Sequence, residues 1–253
     1  MSEDWQPVER TAPIEKSRHY QRARQDRGAE TRARLILAAL DVFGRQGFDA
    51  ASTREIARSA DANLAAIVYH FGSKEGLHQA VAEHVVDEIS SRIGPTVARA
   101  VEALGQGTGG QDTGGQGAPD KEAARALLQQ IVEAHMAAML GADAAASWAR
   151  FIVREQMEPS PAFETVYACM APVHTVLRRL IGILTDSDPD HDETSLRTFA
   201  LMGQVMVFRV AQPMVLRMMA RDGLGPADRR LIARIVTENI DRIVGVTARP
   251  GAT

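Results

Sequence analysis

The chain of 253 residues has a single cysteine, Cys169, so no intramolecular disulfide braces it. Its first ten residues, MSEDWQPVER, lack the basic start and apolar stretch of a signal peptide, so a reducing, cytoplasmic (nucleoid-associated) location is expected. No window reaches the roughly 18 uninterrupted apolar residues of a membrane span. Arg150, Arg154 and Glu155 interrupt the most apolar region, so no membrane partner is expected. Strand alternation is also missing, and the predicted class is all-α.

Signatures of chemistry are equally scarce. No glycine-rich phosphate loop follows a strand, and no Gly-x-Ser-x-Gly turn occurs. A di-iron carboxylate bundle needs two Glu-x-x-His motifs on separate helices, whereas this chain has one, from Glu75 to His78. His135, His174 and His191 are scattered without metal-ligand spacing, and a lone cysteine among apolar residues is read as inert core. Neither an enzyme, a metal nor a cofactor is expected.

What is present is a large apolar fraction, 45%, sufficient for a packed core and incompatible with global disorder. The net charge of −3 argues against indiscriminate coating of nucleic acid, but charge is unevenly placed. Between Arg10 and Arg34 stand eight basic residues against three acidic ones, a local footprint for a phosphate backbone. With Pro7 and Pro13 and no apolar period, residues 1–27 are predicted to be a mobile basic arm rather than a folded element. The second half of the chain has no such excess, which disfavours an architectural protein basic over its whole surface.

Leu35, Ile36, Ala39, Leu40 and Phe43 recur at helical spacing, and Gly47 closes that helix. Gly105 to Ala118 carries seven glycines in fourteen residues, the composition of a flexible loop. Further helices are predicted at Asp120 to Leu140, Asp143 to Met157, Pro161 to Leu184 with a kink at Pro172, Glu193 to Ala220 containing Pro213, and onward from Pro226.

The densest signal is Ser52 to Leu77, STREIARSADANLAAIVYHFGSKEGL. Ser52 and Glu55 have the spacing of a capping box that opens a short helix. Asp61 sits where a tight turn needs a residue tolerant of positive φ, and Asn63 can cap a second short helix. Ser73 then caps a long fourth helix. Two short helices joined by a tight turn form a helix-turn-helix over residues 52–71.

The run from Thr31 through Leu77, with its Tyr69-His70-Phe71-Gly72-Ser73-Lys74-Glu75 string, resembles the DNA-binding domain of TetR-family regulators. NLAAIVYHFGSKEGL together with the string from Arg154 to Phe163 resembles the CecR-like subgroup. The family usually has glycine where this chain has Asp61. The resemblance implies an N-terminal three-helix DNA-binding domain over residues 28–88 and a helical ligand-binding and dimerisation domain over 89–253. It implies phosphate contacts by Thr53, Arg54, Tyr69, His70 and Lys74, with Asn63, Leu64, Ala65 and Ala66 facing base edges. Apart from Asn63 those reading residues have no side-chain hydrogen-bonding groups, so readout must lean on thymine methyls and DNA shape.

All nine methionines after the initiator lie at or beyond Met136, among aromatic residues, a composition suited to an adaptable apolar pocket or to ordinary core. Met136, Met139, Trp148, Phe151, Arg154, Phe163, Tyr167, Met170 and His174 are the candidate ligand residues, for an apolar or amphipathic effector. Arg154 and Glu158 can equally form an ordinary i, i+4 pair. Met206, Ile232, Ile235, Val236, Ile240 and Ile243 are the candidate dimer interface. The expected protein is a repressor that binds a palindromic operator as a homodimer and is released by a small molecule. Deleting residues 1–27 should leave folding and dimerisation intact and lower operator affinity most at low salt. Equal affinity of the two forms at low and high salt would remove the arm from the interface.

Overall fold

The structure is a computed structural model that describes residues 14–105, 119–141 and 144–245. Among the described residues there are ten helices and no strand. The helices are α1 (Ile14–Ala50), α2 (Thr53–Ser59), α3 (Leu64–Phe71), α4 (Lys74–Gly105), α5 (Lys121–Leu140), α6 (Ala144–Met157), α7 (Phe163–Thr185), α8 (Asp192–Val210), α9 (Gln212–Met219) and α10 (Pro226–Ile243). None of them alone is long and apolar enough to cross a membrane.

The apolar period of α1 is buried as its spacing predicts, with Leu35, Ile36, Ala39, Leu40 and Phe43 all in the core. The helix breaks at Gly47, whose φ of 80° and ψ of 173° lie outside the range that side chains with a Cβ readily adopt. Its beginning differs from the sequence reading, because the backbone is helical from Ile14. Half of the expected arm therefore extends α1: arginine, glutamine, glutamate and alanine are strong helix formers, and local propensity outweighs charge density there. Residues 1–13 and the glycine-rich 106–118 fall outside the described residues.

The single helix expected over Glu193 to Ala220 is two helices, α8 and α9, bent by 69°. Pro213 sits in the first turn of α9, where its missing N–H costs no internal bond. In contrast, α7 continues through Pro172 without a break. The expected boundary at residue 88 lies inside α4, which serves both the N-terminal head and the body, and one continuous core spans the two.

α4 packs against α1 at one end and against α5 and α7 along its length, while α6 lies along α1. Gly44 makes that last approach close: a Cβ there would stand 3.4 Å from the Ser147 carbonyl and 3.5 Å from Arg150 Cβ. At Gly47 a Cβ would stand 3.1 Å from Arg154 Nε. Gly47→Ala adds a left-handed backbone cost of about 1–2 kcal/mol to that crowding, so its thermal denaturation midpoint should fall measurably. An unchanged midpoint would mean that the break at Gly47 relaxes without penalty.

Candidate nucleic-acid interface

The helix-turn-helix is held from within. Ile56, Ala57, Ile67 and Leu77 are buried and fasten α2, α3 and α4 to α1. Ser52 has the extended backbone of an N-cap, φ −102° and ψ 129°, but its side chain caps nothing. The expected capping box does not form because Glu55 turns to α1, accepting from Gln46 Nε2 at 2.9 and 3.0 Å and lying 3.8 Å from Arg45. A tertiary partner has displaced the local one.

The rest of the turn follows the sequence reading. Asp61 takes φ 48°, and Asn63 Oδ1 accepts from the Ala65 amide at 2.9 Å, capping α3. Gly72 ends α3 at φ 76°, and Ser73 Oγ accepts from the Gly76 amide at 3.1 Å to open α4.

These constraints leave one face of α3 outward. Leu64 is 41%, Val68 63% and Tyr69 78% exposed, with Ala65 beside them. Val68 escaped the sequence reading, although it stands one turn after Leu64 on the same face. Ala66 is instead half-buried against the core, and Asn63 has committed its oxygen to the cap, leaving only its amide NH2 for a base edge. The outward face is therefore nearly without hydrogen-bonding groups.

Cations surround it. Arg54 and Arg58 are exposed on α2, and Arg32 lies 5.3 Å from the Phe71 ring centroid. Thr53, at the start of α2, is half-exposed. Lys74 Nζ donates to the Asp49 carbonyl at 3.2 Å and sits 4.7 Å from the Phe48 ring centroid, which fixes its ammonium at the junction of α1 and α2. His70 is half-exposed, edge-on to Tyr69 with centroids 4.9 Å apart.

Behind Lys74 a buried polar link joins head to body. His78 on α4 lies among Phe43, Phe48 and Phe151, with ring centroids 4.5, 4.8 and 5.2 Å away. Its Nε2 is 3.3 Å from Glu155 Oε1 on α6. Ser160 Oγ donates to Glu155 Oε2 at 2.7 Å and lies 3.4 Å from His78 Nδ1. Burial pushes the Glu155 carboxyl up, but His78 and Ser160 outweigh it and hold it below the usual carboxylate range.

The candidate ligand residues do not gather around one opening. Met136, Met139, Trp148 and Phe151 are close-packed core, and Met170 is half-buried against it. Phe163 stacks on an exposed Tyr167 at 6.0 Å, and the His174 ring packs 5.2 Å from that of Phe199. Arg154 pairs with Glu158 at 3.5 Å, the plainer of its two readings. Cys169 is half-buried, its Sγ 3.7 Å from Ser90 Oγ. Three mutually packed helices of the body nevertheless carry buried polar atoms without a partner: both ring nitrogens of His135 on α5, Trp148 Nε1 on α6 and Gln204 Oε1 on α8. Burial, with a smaller contribution from His174, lowers the His135 pKa from 6.5 to about 4.

The interface expectation also needs correction. Ile232, Val236 and Ile240 are buried in the chain's own core, while Met206 and Ile243 are half-buried. A broad apolar stripe has two sides, and periodicity does not say which one the subunit keeps. The outward side carries Leu231 and Ile235 on α10, beside Leu196, Phe199, Val207 and Val210 along α8.

The model of the family described as "Bacterial regulatory proteins, tetR family" matches residues 35–81. That of the "HTH-type transcriptional dual regulator CecR, C-terminal domain" matches residues 124–245. The HTH-type transcriptional dual regulator CecR of Shigella flexneri is 33% identical over 219 residues, covering 86% of this chain and 93% of that protein. The fold is similar to that of the transcriptional regulator FadR from Bacillus subtilis, solved with stearoyl-CoA. There the TM-score is 0.51 at 15% identity, over 85% of this chain and 99% of FadR. It is also similar to AibR, solved with isovaleryl coenzyme A and operator DNA. That match has a TM-score of 0.57 at 13% identity, over 83% of this chain and 97% of AibR.

Two measurements follow. Lys74→Ala should weaken binding to DNA of any sequence and lower the salt slope by about one unit, and should also cost stability through its contacts with Asp49 and Phe48. A stable variant with an unchanged slope would remove Lys74 from both roles. Because folded His135 titrates near 4 against 6.5 unfolded, its contribution is complete above about pH 6.5 and is lost as pH falls toward 4. His135→Leu should therefore lose less stability than the parent chain between about pH 7 and about pH 5, by an amount on the order of 2 kcal/mol. Parallel pH profiles would show that His135 is solvated when folded.

Proposed function

Because the chain belongs to the TetR family of bacterial regulatory proteins, with a CecR-type C-terminal domain, we propose that this transcriptional regulator is a cytoplasmic, nucleoid-associated repressor. It occupies a palindromic operator as a homodimer and leaves it when a small molecule binds the helical body. The observation that carries this reading is the outward face of α3, Leu64, Ala65, Val68 and Tyr69, presented between flanking cations by a rigid turn.

Residues 28–88 act as the reading head. Leu64, Ala65 and Val68 meet thymine methyls in the major groove, with the Asn63 amide as the one polar reader. Ala66 contributes close approach rather than contact. Thr53, Arg54, Tyr69, His70 and Lys74 hold phosphates on either side. An apolar reading face makes each half-site a weak discriminator, so specificity depends on two heads held at fixed spacing.

The apolar side shared by α8 and α10 supplies that spacing when two copies pack it about a two-fold axis. The effector is apolar or amphipathic and binds within the body, residues 89–253. The unpartnered polar atoms of His135, Trp148 and Gln204 support that placement, because buried polar groups without partners are costly unless something satisfies them. The His78–Glu155 link supports a coupling route, since it ties α4 of the head to α6 of the body.

Selection of operators from random duplexes, followed by footprinting, tests the reading. Two protected half-sites related by a dyad, about one helical turn apart, are expected. Protection of a single half-site by a monomer would refute it. Phe199→Glu and Ile235→Glu each place a charge in the proposed interface and should give monomers in sedimentation that no longer fill the operator. Both residues are exposed in the subunit, so folding should survive; a stable dimer in both variants would place the interface elsewhere.

A further inference from the structure

A cavity of about 450 Å³ opens where head meets body, between α1, α6 and the α8–α9 junction. It is within the size range of small-molecule sites. Its floor is apolar, with Ala149, Val153, Met157 and Val210 among the lining residues. Four arginines also line it, Arg45 from α1, Arg150 and Arg154 from α6, and Arg209 from the end of α8, and no acidic side chain does. The nearby carboxylates stand outside the lining. Asp41 is divided between Arg45 at 2.9 Å and Arg150 at 3.4 Å, Glu55 lies 3.8 Å from Arg45, and Glu158 lies 3.5 Å from Arg154 Nη1. Arg154 Nε is buried without a hydrogen-bond partner.

The geometry points to a binding site for an amphipathic anion, a carboxylate or phosphate head with a short hydrocarbon tail, at the head–body junction. An apolar floor takes the tail, and guanidinium groups from opposite walls take the oxygens through charge-assisted hydrogen bonds. Arg45 belongs to the head helix while Arg154 and Arg209 belong to the body, so the bound anion bridges the two and fixes the angle between them. That last consequence rests on the proposed regulator function; the binding itself does not.

Calorimetric titration of the full-length protein with decanoate, decyl phosphate and decanol, each below micelle formation, tests the site. Saturable binding of at least one of the two anions, with decanol bound at least tenfold more weakly, is expected, and the comparison of decanoate with decyl phosphate separates carboxylate from phosphate. Arg150→Gln and Arg154→Gln should each weaken that anion about tenfold, the loss of one charge-assisted hydrogen bond. Val153→Phe pushes a ring into the apolar floor that would take the tail, leaves the arginines in place, and should weaken binding at least tenfold. No binding of either anion, or undiminished binding to Val153→Phe, would overturn the site. Operator occupancy is followed separately by fluorescence anisotropy: an anion that binds the cavity and leaves DNA binding unchanged would overturn the coupling and keep the site.

Discussion

The structure turns on the buried contact between His78 and Glu155. It lies between three phenylalanine rings, joins the second turn of α4 to α6, and is completed by the Ser160 hydroxyl. Burying the Glu155 carboxylate costs several kcal/mol in desolvation, which the Ser160 hydroxyl and the adjacent imidazole roughly offset, whereas a carboxylate left alone there is strongly unfavourable. The contact therefore contributes registry more than net stability: α4 and α6 meet at one place. Phe48 carries this registry outward, since its ring touches His78 on one side and the Lys74 ammonium on the other. One run of contacts therefore joins α6 through His78 and Phe48 to the Lys74 ammonium at the end of α1.

Close packing also joins α1 to α6 directly. Gly44 lets α6 lie directly on α1, and Gly47 turns the chain away where Arg154 arrives. The arginine-lined cavity lies beside this crossing, and an occupant there acts on the same contact. The body's unpartnered buried polar atoms lie on α5, α6 and α8, so α6 is common to both places.

Much of the reading head was legible in the chain itself. Asp61, Asn63 and Ser73 are local devices whose geometry is set within four residues, and each takes the role expected of it. The capping box failed for the complementary reason. Ser52 and Glu55 have the correct spacing, but Gln46 and Arg45 come within reach of Glu55 only after α1 and α2 have packed. Lys74 was legible as a cation at the head's edge, yet its seat on Phe48 depends on a residue 26 positions earlier in the chain.

The sequence by itself determined the helical class and the helix-turn-helix, because period, caps and turn residues act over a few bonds. Only the tertiary structure decided which side of each apolar stripe is spent inside the subunit. Ile232, Val236 and Ile240 went to the core and Ile235 stayed outside, although all four share one amphipathic helix. It also decided that His78 would be buried opposite Glu155, and that four arginines from three helices would line one cavity. Those partners are separated by tens of residues, and no local period encodes a distance across the fold.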